Sequence, residues 1–429
     1  MEKLNEDFII NLSNNKGEPM WMKNFRLNSY KKFLELDNPS FGPKINIDFD
    51  NLVYHKGLFA PPSCSWKNVD KKVKNTFNDL GVIEAENKYL KGVSNQYESE
   101  VIYHKMEESD GIIFLSTDEA LKKYPELFEK YFNNLVKYDE NKYTALNGAL
   151  WSGGSFIYIP PYTKVDRPLQ SYFRIDTKNL GQFERTIIIV DHDSSLHYIE
   201  GCTAKNYSTT SLHAGVVEIY VGKNSTCKYS TIQNWSKDVY NLVTKRAILE
   251  EGAYMQWVDG NIGSGVTMKY PSCILKGDNS KASSISIAYA KEGQHLDAGA
   301  KMIHLGKNTK STIISKSIAG FGGTSDYRGT VKIAKDATGS FATIKCDNII
   351  LDNISSSNTY PKNIVENNES TLEHEATISK INEEKLNYLM SLGISEDAAK
   401  DLYVLGFMSD FKKSLPMEYA VELNRLIKE

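Results

Sequence analysis

From about Thr144 to Ile364 the chain breaks into short β-rich runs whose turns recur at nearly constant intervals, and this repeat limits the possible folds more than any other feature. Runs such as Thr186–Val190, Val216–Val221 and Thr312–Ser315 are rich in Ile, Val and Thr and are separated by Gly, Asn, Asp and Ser. The turns centre near Ser194, Asn224, Gly252, Asn279, Asn308, Thr338 and Asn368, evenly spread along the β-rich part. A period of about 29 residues held over all these intervals marks a structural repeat. Two architectures satisfy it: hairpins of an antiparallel sandwich, or coils of a parallel β-helix whose strands stack about 4.8 Å apart. The pattern alone does not choose between them. The hexapeptide period of a left-handed β-helix acyltransferase is absent.

Three domains are expected: 1–140 mostly helical, 141–365 the β core, and 366–429 helical. In the first, Lys31–Leu36 reads as helix, and Gly57–Ser63 as a loop. Ser116 or Thr117 can cap a helical run to Phe132, which Pro125 divides into two short helices. In the last, Asn382 caps a helix ending at Gly393, and Ser395 caps a second, with Glu396 and Asp397 at its positive end and Gly406 closing it. Pro416 opens a third, with Met417, Ala420, Val421 and Leu423 on its packed face. So small an annex must pack on the β body or on a partner.

Composition removes several function classes. Lys+Arg number 51 against 54 Asp+Glu, a net charge of −3, without the basic stripe of a nucleic-acid binder. No apolar run approaches the length of a membrane span, which needs about 18 residues. Met1–Ile10 lacks the pattern of a secretory signal, so a cytoplasmic location is expected. The 5 cysteines, Cys64, Cys202, Cys227, Cys273 and Cys346, are scattered and form neither a disulfide framework nor a zinc ribbon. They also lack the four-thiolate spacing that holds an iron-sulfur cluster stably. One or two thiolates helped by His or carboxylate would hold a cluster weakly, which suits a protein that must give it away. The Ser152–Ser155 and Gly320–Gly323 stretches read as tight corners, since the Lys-Ser/Thr of a P-loop is missing.

The repeat also arranges candidate chemistry. Cys346 and His374 are separated by close to one repeat, which in a stacked helix of constant register puts them in adjacent coils roughly 5 Å apart, close enough to share a metal. Cys202 lies about five repeats before Cys346, or roughly 24 Å along one column. Arg174, Cys202 and Gln233 are likewise each about one repeat apart and would be neighbours there, although a slip of one residue turns a side chain to the other face. On a strand, Glu373 and Glu375 point away from His374.

Several long runs carry a family resemblance: Leu146–Pro160, Pro168–Arg174, Gln182–Arg185, Tyr198–Thr203, Gln233–Trp235, Lys269–Ser272 and Glu373–Thr377. Across nearly its whole length the chain resembles the SufB family, scaffold subunits of the SUF iron-sulfur cluster assembly machinery. Glu375, where the paralogous SufD usually has Gly, favours the SufB branch. The resemblance implies a mainly β fold, a right-handed parallel β-helix core flanked by N-terminal mixed or helical and C-terminal helical domains. It implies a transient iron-sulfur cluster, C-terminal helices that dock a SufC-type ABC ATPase, a SufD-type paralogue or homodimer mate, and a cysteine desulfurase system as sulfur source. Cys202 matches the family's persulfide acceptor, and Cys346 the cysteine where the cluster forms. His374, Glu375 and Glu373 match positions at that site. Arg174, Gln233, Trp235 and Lys245 match residues lining an interior route between the cysteines, where a cation would stabilise a migrating persulfide anion. Asp176 stands where many relatives have Asn, and 353–362 lacks the Cys and His that some carry. A reduced flavin is raised by the resemblance, but no motif supports it. The chain has no nucleotide motif of its own and reads as a scaffold, not an enzyme. Readings from other classes are a β-helix carbohydrate-active enzyme using Glu373 and Glu375, and a non-catalytic interaction protein.

Overall fold

The repeat is built at its corners. Asp193, Asn224, Gly252, Asn279, Asn308 and Gly339 all take positive φ, a region that Gly enters freely and Asn and Asp tolerate best among the other residues. The N–H of each of the first five bonds a carbonyl in the next corner: Asp193 to Lys223, Asn224 to Glu251, Gly252 to Asp278, Asn279 to Lys307 and Asn308 to Thr338, at 2.8–2.9 Å. Beside this line runs a second one of hydroxyls, in which Ser194 N–H reaches Ser225 Oγ at 2.9 Å and Ser340 N–H reaches Ser370 Oγ at 3.1 Å. Each corner therefore satisfies its neighbour's backbone, and the turn chemistry recurs wherever a coil closes.

The computed structural model describes residues 3–80, 82–107, 111–205 and 210–409. Between corners the chain alternates between a ten-stranded and a 12-stranded sheet, making a parallel β-helix of about eight turns. In the first sheet Gly92–Tyr97, Leu169–Ile175, Ser195–Ala204, Thr226–Asn234, Tyr254–Asn261, Lys281–Ala290, Lys310–Ala319, Phe341–Ile350 and Thr371–Lys380 stack in parallel. The antiparallel sandwich is thereby excluded. Coil length is not constant: the path from Ser195 to its ladder partner Thr226 is longer than the path from Tyr254 to Lys281. The last strand of the first sheet, Thr371–Lys380, carries the coil past residue 365, where the sequence had suggested its end.

The inward faces of the two sheets meet in a core that joins Leu196, Tyr198, Cys227, Tyr229, Met255 and Trp257 of the first to Val217, Ile219, Ala247, Leu249, Cys273 and Met302 of the second. Further along the same strands the interior turns polar, with Glu200, Thr231, Asp259, Ser286 and Ser315 at successive ladder positions. All five are buried.

The N-terminal part is mainly helical, as expected, with strands set into it. Helices Glu6–Lys16, Met20–Glu35, Thr117–Lys123 and Pro125–Tyr131 are present, the last two split at Tyr124 ahead of Pro125. Strands Gly92–Tyr97, Glu100–Met106 and Ile113–Ser116 interrupt them and begin both sheets. Gly92–Tyr97 is covered on both faces, so it lacks the polar and apolar alternation that reveals a strand. Conversely, Lys142–Leu150, at the start of the expected β region, is a helix opened by a capping box at Asn141. Asn147 on it donates to the carbonyls of Glu184 and Ala214 at 2.7 and 2.9 Å, fastening the helix to the second sheet.

Glu383–Ser391 and Glu396–Phe407 form the C-terminal helices, capped by Asn382 and Ser395 as expected. Gly406 lies inside the second rather than closing it. Val404 and Met408 pack on Ile318, Ile349 and Leu351, so the annex sits on the outer face of the first sheet. The third helix expected from Pro416 falls outside the described residues. No helix among the described residues is long and apolar enough to cross a membrane.

Gly153 and Gly154, read as corners, have φ of +69° and +88°, and a Cβ on Gly154 would lie 2.2 Å from the carbonyl oxygen of Arg185. Gly154→Ala is therefore expected to destabilise the protein by roughly 2 kcal/mol or more. Gly293→Ala is strained only by its φ of +75°, with open space around it, and should cost about half as much. Urea midpoints of the two variants check the order.

Candidate functional site

Cys202 lies near the end of Ser195–Ala204 with its side chain inward, opposite Phe173 in the coil before and Gln233 in the coil after. It is 1% exposed. Its thiol donates to Glu200 Oε1 at 3.7 Å. That oxygen also accepts from Lys245 Nζ at 2.9 Å and Thr231 at 3.4 Å, while Tyr229 O–H donates to the other oxygen. The Lys245 ammonium lies 4.5 Å over the Tyr229 ring. One coil further, Lys269 Nζ reaches Asp259 at 2.7 Å and Gln233 Oε1 at 2.9 Å. Asn241 donates to the same Gln233 oxygen at 2.6 Å. Trp235 packs with Phe173, Ile175, Leu180, Val239 and Cys202, and its ring lies 4.8 Å from His213.

The electrostatics of this chamber follow from burial. Burial first, and the Glu200 charge second, push the Cys202 thiol well above its ordinary value, while Lys245 pulls the other way. Burial works to raise Glu200, but Lys245 and the hydrogen bonds from Tyr229 and Lys245 outweigh it and hold the carboxyl below its usual range. Burial, reinforced by the Glu200 charge, raises Glu184 instead. His213 is pushed down to about 3 by burial and stays neutral. Two N–H donors, Gln233 Nε2 and Trp235 Nε1, are buried without a partner among the described residues. Unpaired buried donors are costly, each by about 1–3 kcal/mol, so a group that accepts from them is favoured there.

Cys346 also faces inward, from Phe341–Ile350, and is fully buried. Burial and the neighbouring Asp347 push its thiol up to about 12. Cys202 and Cys346 share the inner face of the first sheet and are five strand steps apart, roughly 24 Å. Their register differs by two residues. The ladder from Cys202 runs through Gln233, Asn261, Ala288 and Ser317 to Asn348, whereas the ladder from Cys346 runs back through Ser315, Ser286, Asp259 and Thr231 to Glu200. Near Cys346, Asn348 donates to Thr359 at 2.8 Å, and the Tyr327 hydroxyl is buried without a partner among the described residues.

The other residues singled out in the sequence divide between faces. His374 points inward from the last strand but stands opposite Ile344, with Ala376 opposite Cys346. The coil there is longer than the Cys346 to His374 separation, so the two are diagonal neighbours roughly 8 Å apart at Cα rather than directly opposed. Glu373 and Glu375 lie on the outward face, exposed, with Glu375 3.6 Å from Lys345. Among the described residues no three His, Cys, Asp or Glu side chains come together to hold a metal. Arg174 pairs with Thr203, one position from Cys202, and so falls on the opposite face from it. There it binds Asp176 at 2.7 Å and Thr203 at 3.0 Å, away from the interior. Gln233, Trp235 and Lys245 do surround Cys202.

Sequence reasoning missed Glu200, Glu184, Asp259 and Lys269. Glu200 could have been found from the strand period, since it sits two residues before Cys202 and so shares its face.

The model of the SUF system FeS cluster assembly SufBD core domain matches residues 173–407, and that of the SufBD protein N-terminal region matches 69–171. The chain is 53% identical over 99% of its length, and 92% of the relative's, to the iron-sulfur cluster assembly protein SufB of Bacillus subtilis. It is 54% identical, with the same coverage, to iron-sulfur cluster assembly SufBD family proteins of Staphylococcus saprophyticus and Staphylococcus aureus.

Proposed function

The chain belongs to the SufBD family of iron-sulfur cluster assembly proteins, and from that premise we propose that it is a scaffold for de novo cluster assembly, accepting persulfide sulfur at Cys202 and building the cluster at Cys346. The observation that carries this reading is the polar inner face between the two cysteines, an unusual filling for a β-helix interior otherwise packed with Ile, Val and Tyr. A persulfide anion moving there is shielded from water and oxidants, and Lys245 and Lys269 supply positive charge along the first coils. The unpartnered N–H groups of Gln233 and Trp235 favour a sulfur acceptor beside Cys202.

In this reading Cys346 is the assembly thiolate, and His374 on the same face is its nearest candidate co-ligand. Glu375 and Glu373, on the outer face of the last strand, serve iron delivery or ligation from the far side of that edge. Among the described residues Thr371–Lys380 and Ser356–Val365 end their sheets with unpaired edges, which suit a SufD-type paralogue or a second copy of this chain. The C-terminal helices leave Tyr388, Leu392 and Leu402 substantially exposed, and this apolar surface suits a SufC-type ATPase. ATP hydrolysis then belongs to that partner, and a cysteine desulfurase system supplies the sulfur.

Purification without oxygen tests the proposal. The protein is expected to be brown, to bleach with oxygen or chelator, and to contain acid-labile sulfide together with iron. Colourless protein free of sulfide, when co-expressed with its partners, would refute the scaffold role and leave a purely interacting member of the family.

A further inference from the structure

The buried carboxylate next to Cys202 has no task in the scheme above, yet several elements converge on it. We propose that Glu200 is the positioning residue of the sulfur acceptor, fixing the Cys202 thiol as a protonated donor, holding Lys245 away from the sulfur, and receiving the thiol proton when sulfur is transferred. This rests on the reading of Cys202 as acceptor.

The geometry is that of a hub. Glu200 Oε1 takes the Cys202 S–H at 3.7 Å and the Lys245 ammonium at 2.9 Å on one oxygen, so thiol and cation compete for the same lone pairs. Tyr229 and Thr231 of the next coil fix the carboxylate plane. The charged and titratable groups that bear on it are Tyr198 and Cys202 on its own strand, Tyr229 from the next coil, Lys245, Glu184 and His213 from the facing side, and Asp259 with Lys269 beyond. Burial drives Glu184 and His213 toward their neutral forms, which leaves the Lys245 and Lys269 ammoniums facing the Glu200 and Asp259 carboxylates they bind. A thiolate added to that balance would be one negative charge too many in a buried site, so Cys202 rests as a thiol. Protonating Glu200 reverses the balance and leaves Lys245 as the spare cation beside the sulfur.

The transfer step then closes. Cys202 Sγ bonds to the outer sulfur of a donor cysteine persulfide, the donor's S–S bond breaks, and its sulfur departs as a thiolate with the electron pair. The Sγ proton passes to Glu200 Oε1, the proton of the new persulfide passes to the departing donor thiolate, and Lys245, released from the carboxylate, pairs with the persulfide anion. No outside oxidant or reductant is consumed.

The proton on Cys202 can be read without any sulfur donor. Thiolate absorbance of the full chain is followed against pH and corrected with Cys202→Ser. Glu200→Gln keeps the shape but removes the charge, and is expected to lower the apparent Cys202 pKa by about one unit or more, because Lys245 then acts unopposed. Lys245→Met is expected to raise it. An unchanged or raised value in Glu200→Gln overturns the proposal. A measurement on the wild type guards against a variant that does not fold. The infrared S–H stretch assigned to Cys202 by its loss in Cys202→Ser should lie at lower wavenumber than those of the other buried cysteines, because among the described residues Cys202 is the cysteine that donates to a carboxylate. A band at the same position as theirs overturns the proposal too. These readouts can fail while Cys202 still loads sulfur, and Cys202→Ser that loads sulfur normally would sink the acceptor reading without moving either one.

Discussion

Cys202→Ser is expected to remain folded and to lose sulfane sulfur entirely after incubation with a cysteine desulfurase and cysteine. The substitution is nearly isosteric, and the serine hydroxyl can donate to Glu200 as the thiol does, so stability should change by no more than about 1 kcal/mol. The loss follows because a hydroxyl cannot form a persulfide and Cys202 is, in this reading, the acceptor among the five free cysteines. Cold-cyanolysis counts of sulfane sulfur on the purified chain check it. Retention of the wild-type count would remove Cys202 from the sulfur route and leave the polar interior without an entry point.

Lys245→Met should have the largest effect on stability. Lys245 and Glu200 are 1% and 2% exposed at the side chain and 2.9 Å apart. Removing one partner of a buried pair strands the other charge, at a cost of about 3–5 kcal/mol. Stranded, Glu200 has burial acting without its main counterweight, and its folded pKa rises above the unfolded value. A carboxyl raised in this way favours the folded state below the unfolded value, near 4.3, and that contribution is lost as pH rises through the folded one. The deficit relative to wild type should therefore be large at pH 7 and shrink toward pH 4. Pairing the change with Glu200→Gln should recover most of the stability, because the double variant buries no charge at this position. Urea midpoints across pH decide the matter, and a single variant within about 1 kcal/mol of wild type at pH 7 would mean that the pair does not govern the chamber.

How much of this was legible in the sequence depended on which physical constraint left a mark. The coil was legible because each corner needs a residue tolerant of left-handed backbone, and Asn224, Gly252, Asn279 and Asn308 announce it. Parallel stacking was not, since hairpin and coil corners draw on the same residues, and the family resemblance was needed to choose. Register was legible only approximately. The coils differ in length by enough to place Phe173 rather than Arg174 opposite Cys202, and Ile344 rather than Cys346 opposite His374. A slip of two keeps His374 on the inner face, whereas a slip of one sends Arg174 outside. The strand period puts Glu200 on the face of Cys202, but its burial and a partner as distant in sequence as Lys245 are invisible in a single chain of letters. The buried helix Lys142–Leu150 was missed for a related reason: buried on nearly every side, with Thr144 and Asn147 among its Ala and Leu, it shows no helical stripe.

Anaerobic reconstitution with ferrous iron, a sulfide source and reductant, on wild type and Cys346→Ser in parallel, bears most directly on the scaffold role. Wild type is expected to develop charge-transfer absorption in the visible and to hold iron and sulfide in matching amounts, and Cys346→Ser to hold neither. A Cys346→Ser protein with the same spectrum and the same iron and sulfide content as wild type would contradict cluster assembly at this thiol.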